Sequence, residues 1–447
     1  VNETIAAVAT ASGIGSVAIV RLSGEEALAI AKKCTGRSSF LPRHATLTNL
    51  YDSEGELIDE AIVLYFKAPH SFTTEDVVEF QCHGGSIVAE KILDTLLHHG
   101  ARLAEPGEFT KRAFIGGRID LTEAEAIARL IEARSEDAAK ILARQMKGEL
   151  KEFVEEVRER LLRAVAFAEV TIDYAEEDLP EDLLEDLAAQ LDDLTERMER
   201  IVSGSERRRG LIEGFKVAIV GKPNVGKSSL LNALLNYERA IVSEIAGTTR
   251  DTIEEQIRIG THLVRIVDTA GIREAGDTIE KIGIERSVAA IEQSDIVIAM
   301  FDASRPWDAE DEQILSLIEE FGKTKEMIVV LNKTDLAQRI DTRKIEHLHP
   351  LRLGRRKKSE QIVAELHKRL SSLAKGEELL LISTRQIEAV RRAREAIVQA
   401  KEPLLAGELE LFTFHLSDAI TAISSISKPV DFNDIMDKMF GEFCLGK

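Results

Sequence analysis

Gly221-Lys-Pro-Asn-Val-Gly-Lys-Ser-Ser229 follows the apolar run Val217–Val220 and precedes Leu230–Leu235. The order is strand, glycine loop, helix, and the spacing is G-x-x-x-x-G-K-S. Glycines at these positions let backbone N–H groups wrap a phosphate. Lys227 supplies a fixed cation, and the Ser228 hydroxyl is a ligand for Mg²⁺. Asn224 stands inside the loop, where its amide oxygen could hold a monovalent cation beside the phosphates.

Three further elements follow in the order a GTPase requires. Ala246-Gly-Thr-Thr-Arg-Asp251 places Thr249 to close on Mg²⁺. Asp268-Thr-Ala-Gly271 ends the strand-like run Leu263–Val267; its Asp can reach Mg²⁺ through water, and its Gly N–H can sense a γ-phosphate. Asn332-Lys-Thr-Asp335 ends the run Met327–Leu331, and the Asp335 carboxylate can accept both N–H groups of a guanine edge. Two charge-assisted hydrogen bonds amount to about 3–6 kcal/mol, roughly 10²–10⁴-fold against adenine. One such motif is weak evidence; four in sequence specify GTP. Ile272 occupies the place where Ras-type GTPases carry a water-orienting glutamine. An aliphatic side chain cannot orient water, so catalytic help must come from elsewhere. Glu280 is open to two readings, a water-orienting carboxylate or a solvated surface residue.

The surrounding pattern divides the 447 residues into four stretches. Residues 1–117 read as a small α/β unit with strands near Ile5–Ala9, Ser16–Arg21, Ala61–Phe66 and Val77–Phe80, and helices over Glu26–Lys33 and Ile87–His98. His83, beside two glycines, reads as a turn residue or a catalytic imidazole. Residues 118–213 read as helices with apolar positions three and four apart, turning at the acidic run before Pro180. Residues 214–376 carry the nucleotide motifs, and 377–447 return to amphipathic helix. Helices on both sides of an α/β segment suggest one bundle split by an insertion. The expected fold is therefore multidomain α/β plus all-α, with an inserted Ras-like G domain.

Composition narrows the class. Charged residues make up 30% and hydrophobic ones 44%, and no apolar run suits a membrane helix. No secretion signal is visible, and Cys34, Cys82 and Cys444 are odd in number and far apart, so a cytoplasmic protein is expected. A net charge of −20 repels nucleic acid on average. Contact with RNA then needs a partner or local patches such as Arg207–Arg209 and Arg352–Lys358, which otherwise read as solvated loop charge.

Taken together the chain resembles the MnmE (TrmE) family of bacterial tRNA-modification GTPases over nearly its whole length. The likeness rests on the G-domain motifs, on Gly15–Gly24, on Ser71-Phe-Thr-Thr-Glu-Asp-Val-Val-Glu-Phe-Gln-Cys-His-Gly-Gly85, on Pro106–Phe114 and on the ending Phe443-Cys-Leu-Gly-Lys447. The resemblance implies a homodimer formed through a folate-binding N-terminal domain. Arg21, Glu79, Arg118 and Lys447 would contact a tetrahydrofolate derivative in its 5-formyl or methylene form. It implies an FAD-dependent partner, MnmG (GidA), with which an aminomethyl-type group is added to C5 of the tRNA wobble uridine. It implies GTP contacts from Asn224, Val225, Gly226, Lys227, Ser228 and Ser229, from Ser243, Glu244, Ile245, Ala246, Gly247, Thr248 and Thr249, from Asp268, Thr269, Ala270 and Gly271, and from Asn332, Lys333, Thr334 and Asp335. Ser228 and Thr249 would hold Mg²⁺; Asn224, Ser243, Ile245 and Thr248 would hold K⁺. Glu280 takes the catalytic position, and Cys444 falls on a cysteine needed for modification. One departure is Gly354-Arg-Arg356, where the family's last guanine loop reads Ser-Ala-Lys or Ser-Ala-Arg. The competing reading is an Era- or Der-like ribosome-assembly GTPase; it requires a KH-type module or a second G domain, and neither is evident. A dynamin-like reading lacks its basic or apolar membrane helix.

Overall fold

The structure is a computed structural model that describes residues 3–11, 13–173, 181–237, 255–267, 287–355, 358–376 and 379–428. The first sheet is built from β1 (Ile5–Val8), β2 (Val17–Ser23), β3 (Thr46–Tyr51), β4 (Leu57–Phe66), β5 (Val77–His83) and β6 (Arg102–Leu103). Its order is β3-β4-β5-β2-β1-β6, antiparallel throughout except for the parallel β1–β6 pair. Helices α1 (Ala27–Thr35) and α2 (Ser86–His98) share a core with it, including Val20, Leu22, Ile30, Phe80 and Leu96. Strand side chains alternate between faces. Ala6 therefore joins that core, while Ile5 and Ala7 pack with Phe109 of α3 (Glu108–Ile115) in a second one. β3 and β6 are elements the sequence reading did not anticipate. β3 is an exposed edge of mixed polarity, and β6 is only two residues long.

A buried ionic network fixes α3. Arg112 Nη1 donates to Glu75 at 3.0 Å, and its Nη2 donates to Glu108 at 2.9 Å and to the Glu3 carbonyl at 3.0 Å. Arg102 forks onto Glu108 as well, at 2.7 and 3.1 Å. Burial alone would raise the Glu108 carboxyl; hydrogen bonds from Arg102, the Glu105 N–H and Arg112 outweigh it and hold it below the ordinary value of 4.5. A group depressed in the folded state contributes stability above its unfolded pKa and loses it as pH falls through the folded value.

The helical part comprises α4 (Leu121–Glu132), α5 (Glu136–Met146), α6 (Glu149–Asp173), α7 (Glu181–Arg207) and the short α8 (Gly210–Glu213). The start of α4 at Leu121 is capped reciprocally. Asp120 Oδ1 accepts the Glu123 N–H at 2.9 Å, and Glu123 Oε2 accepts the Asp120 N–H at 2.8 Å. The acidic turn before Pro180 lies outside the described residues.

The second sheet contains β7 (Phe215–Gly221), then α9 (Lys227–Tyr237), β8 (Glu255–Ile259), β9 (His262–Ile266), β10 (Ile296–Asp302), α10 (Ala309–Phe321), β11 (Glu326–Asn332), β12 (Leu351–Leu353) and α11 (Lys358–Leu373). Its order is β12-β11-β10-β7-β9-β8, parallel except for the β8 edge. Residues 296–301 are all buried, the continuous apolar run that a parallel strand covered on both faces requires. After it come α12 (Thr384–Ala406) and α13 (Leu409–Ser424).

Two compact units result: residues 1–132, 142–195 and 388–447 form one, and residues 133–141 and 196–387 the other. In the first, α6 packs against α13, and Lys401 of α12 bonds Asp192 of α7. In the second, Arg208 is fully buried rather than solvated: its Nη1 donates to the Gly376 carbonyl at 2.8 Å. Ser205 Oγ accepts the Leu381 N–H at 2.9 Å. The stretch 205–208 thus holds the chain segments on both sides of the second sheet.

Glu108→Gln is expected to cost about 3 kcal/mol at pH 7, because two arginines lose a buried counter-charge. The variant is also expected to show a shallower stability decline below pH 4.5, measured by denaturant titration at pH 7 and pH 4.

Candidate functional site

Parallel register decides which residues meet. Met300 pairs with Gly221, and Asp302 pairs with Asn332, so β7, β10 and β11 end along one carboxyl edge. β7 lies between β9 on one side and β10 on the other, so the strand order turns at β7, and open α/β sheets bind ligands at such a switch point. The glycine loop sits there. Gly221 has φ +152°, and a Cβ on it would stand 2.8 Å from the Met300 carbonyl oxygen, so the position needs glycine.

Lys227 opens α9, and its Nζ donates to the carbonyls of Gly221 at 2.7 Å and Lys222 at 3.1 Å. Burial pushes its amine below the ordinary lysine value. Ser228 and Ser229 stand on the first turn of α9, and both are exposed.

The guanine motif is bolted to this loop. Asn332 Nδ2 donates to the Val225 carbonyl at 2.7 Å in the interior, and Lys333 Nζ donates to the Asn224 carbonyl at 2.9 Å. Asn224 and Lys333 both have φ +60°. Asparagine tolerates the left-handed region, whereas lysine there is strained, a pattern that concentrates at functional sites. The left-handed turn is a structural reason for asparagine at 224, separate from any ion. Lys333 is held in turn by Asp302, 2.6 Å away and almost fully buried. Burial would raise the Asp302 carboxyl, but hydrogen bonds from Lys333 and Ser304 outweigh it and keep it ionised below its ordinary range. Asp302 had no signal in the sequence beyond its position at the end of an apolar run.

Thr334 and Asp335 are exposed at the same edge, with the Thr334 N–H donating to the Leu353 carbonyl at 3.1 Å. That bond brings Gly354 alongside: a Cβ there would lie 3.5 Å from Thr334 Oγ1 and 3.6 Å from Asp335 Oδ1. The departing loop therefore adjoins the guanine motif. Arg352, from the basic patch, pairs with Glu346 at 3.1 Å.

In the other unit, Arg21 and Glu79 are cross-strand neighbours on β2 and β5. Arg21 Nε donates to Glu79 Oε1 at 2.8 Å, and its guanidinium lies 5.8 and 5.5 Å from the ring centroids of Phe72 and Phe109. Arg118 is exposed just beyond α3, and among the described residues no hydrogen bond joins its side chain to Arg21 or Glu79. His83 is exposed at the end of β5 with Nδ1 2.8 Å from Asp59 Oδ1. Residues 243–249 and 268–271, Glu280, Cys444 and Lys447 lie outside the described residues.

Residues 4–118 match the family described as GTP-binding protein TrmE N-terminus, and residues 121–444 match the MnmE helical domain. The chain belongs to the MnmE family. The protein named tRNA modification GTPase MnmE from Sulfurovum sp. (strain NBC37-1) is 62% identical over 446 residues, covering 100% of this chain and 99% of its own. The protein of the same name from Sulfurimonas denitrificans is 60% identical, with 100% of both chains covered. A solved Era structure with MgGDPNP and a 16S ribosomal RNA fragment matches 41% of this chain and 66% of its own, at 27% identity and a TM-score of 0.26, too low to bear on fold. Gly354 is the loop residue that adjoins the guanine motif. Since a Cβ there meets only ordinary contact distances, Gly354→Ala is expected to change GDP affinity less than about threefold by calorimetry. A loss beyond tenfold would mean that the glycine itself is required.

Proposed function

We propose that this chain hydrolyses GTP at the β7–α9 loop, with K⁺ dependence and G-domain pairing, to drive folate-dependent aminomethylation of C5 of the tRNA wobble uridine. Membership of the MnmE family makes it a GTP hydrolase that serves tRNA modification. The single observation that carries the nucleotide assignment is the bolt between motifs. Asn332 and Lys333 bond the backbone of the phosphate loop, so base recognition and phosphate recognition are held at a fixed separation.

The hydrolytic roles follow from residue chemistry. Lys227 presents a cation to the β- and γ-phosphates, and the Asp335 carboxylate accepts the guanine N–H edge. The donors assigned to the cations are hydroxyl, amide and carbonyl oxygens, which suit hard ions. Ser228 and Thr249 would hold Mg²⁺, and Asn224, Ser243, Ile245 and Thr248 would hold K⁺. When bound, these ions neutralise charge developing on the transferred phosphoryl group. Glu280 orients the attacking water, the task that Ile272 cannot perform.

Arg21, Glu79, Arg118 and Lys447 are assigned to a tetrahydrofolate derivative, 5-formyl or methylene. The support is Glu79, a half-buried carboxylate fixed by Arg21 as an acceptor for a pterin N–H edge, with the Phe72 and Phe109 rings close by. Cys444 is assigned to the uridine chemistry. A homodimer through the N-terminal unit is supported by the exposed pair Leu47 and Ile62, directly opposite each other on β3 and β4. The FAD-dependent MnmG partner and a cytoplasmic location complete the reading; among the described residues no helix is long and apolar enough to cross a membrane.

Hydrolysis measured in KCl against NaCl tests the assignment. The unsubstituted chain is expected to be faster in KCl, Asn224→Ala to lose that difference, and Glu280→Ala to lose about 10²-fold in kcat in both salts. Equal rates for all three proteins would refute the K⁺ and glutamate roles. Mass spectrometry of tRNA from a deletion strain is expected to show unmodified wobble uridine, restored by the unsubstituted chain and not by Cys444→Ser.

A further inference from the structure

The sequence motif treats Lys222 as one of four unspecified loop residues, yet the structure buries it. Its side chain is 4% exposed, and Nζ donates to Asp311 Oδ2 at 2.6 Å and to Asp308 Oδ2 at 2.7 Å. Both carboxylates belong to the start of α10. Asp308 is the N-cap, accepting the Glu310 and Asp311 N–H groups, and Asp311 accepts the Asp308 N–H at 3.2 Å. This is a capping box whose two acids also clamp a lysine. Burial works against the Lys222 cation, and the two carboxylates outweigh it, holding the amine above its ordinary value.

The backbone of the same residue faces the phosphate site. The Lys222 carbonyl accepts from Lys227 Nζ at 3.1 Å and from the Val225 N–H at 3.4 Å. Pro223 follows, with its φ fixed by the ring. With the side chain clamped on one side and φ restricted on the other, that carbonyl has little freedom to turn.

We infer that Lys222, through Asp308 and Asp311, is a positioning residue that preforms the phosphate loop and holds Lys227 aimed at the site before nucleotide arrives. The inference rests on the reading of Gly221–Ser229 as the GTP loop. Its energetic signature is specific. If only a fraction of free protein has a competent loop, apparent affinity falls by that fraction. Bound phosphates then rebuild the loop through their own contacts. The loss therefore falls on binding and KM more than on kcat.

The test uses the full chain with a fluorescent GDP analogue, GTP turnover and thermal unfolding. Lys222→Met is expected to weaken GDP binding and raise KM about tenfold, with kcat reduced less than about threefold. It also strands Asp311 as a buried unpaired charge and lowers the melting temperature. Lys222→Met/Asp311→Leu removes that charge, and is expected to recover the melting temperature while keeping the tenfold loss. Lys222→Arg is expected to restore affinity. Asp308→Asn, half exposed and still a good N-cap, keeps the fold and is expected to weaken binding about threefold. Normal affinity in the double variant, or in Asp308→Asn should the double variant fail to fold, overturns the proposal. So does a fall in kcat with KM unchanged. A failure of the unsubstituted chain to bind GDP would instead refute the GTP reading itself.

Discussion

The register of three parallel strands governs the nucleotide unit. Once the rows of β7, β10 and β11 are buried on both faces, sliding one strand by a residue would turn its side chains to the opposite face and break every cross-strand bond. The register that survives puts Gly221, Asp302 and Asn332 at one edge. From that edge the rest follows. Asn332 reaches the loop backbone, Asp302 holds Lys333, and Lys333 reaches the loop a second time. Polar groups with this many partners are expensive to disturb, since losing one partner strands the others in a dry environment.

Much of this was legible in the sequence. The fully buried strands announce themselves as continuous apolar runs, and the glycine loop and Asn332–Asp335 have fixed spacings that chemistry demands. What the sequence hides is side-chain partnership between distant segments. Asp302 and Lys333 are 31 residues apart, and Lys222 and Asp311 are 89 apart. No local periodicity encodes those pairs. Arg208 shows the same blindness in reverse: three consecutive arginines read as solvated charge, yet the middle one is the largest fully buried side chain among the described residues. β3 was missed because a half-exposed edge strand of threonine, asparagine and leucine has no strong alternation to read.

The first sheet uses charge differently. Glu75, Arg112, Glu108 and Arg102 join α3 to the loop before β5 and to the strand beside β1. Apolar side chains of similar volume would have stabilised the fold as well or better. Ions restrict the geometry instead, because only one arrangement satisfies all the forks. That constraint fixes the helix carrying Phe109, whose ring lies 5.5 Å from the Arg21 guanidinium. The Arg21–Glu79 pair thus lies against a helix whose place is set by that network.

The pairing of α6 with α13 has a consequence for how the chain is made. The apolar face of α6, with Val157, Leu161 and Ala168, leaves the ribosome long before Phe412 and Leu416 exist to cover it. The whole second sheet is synthesised in between. At about 5–20 residues per second that wait is on the order of ten to fifty seconds. The first sheet can close during synthesis, since all its strands come from residues before 104. The helical part closes fully only once α13 is made, so the face of α6 that α13 covers needs shielding while translation runs.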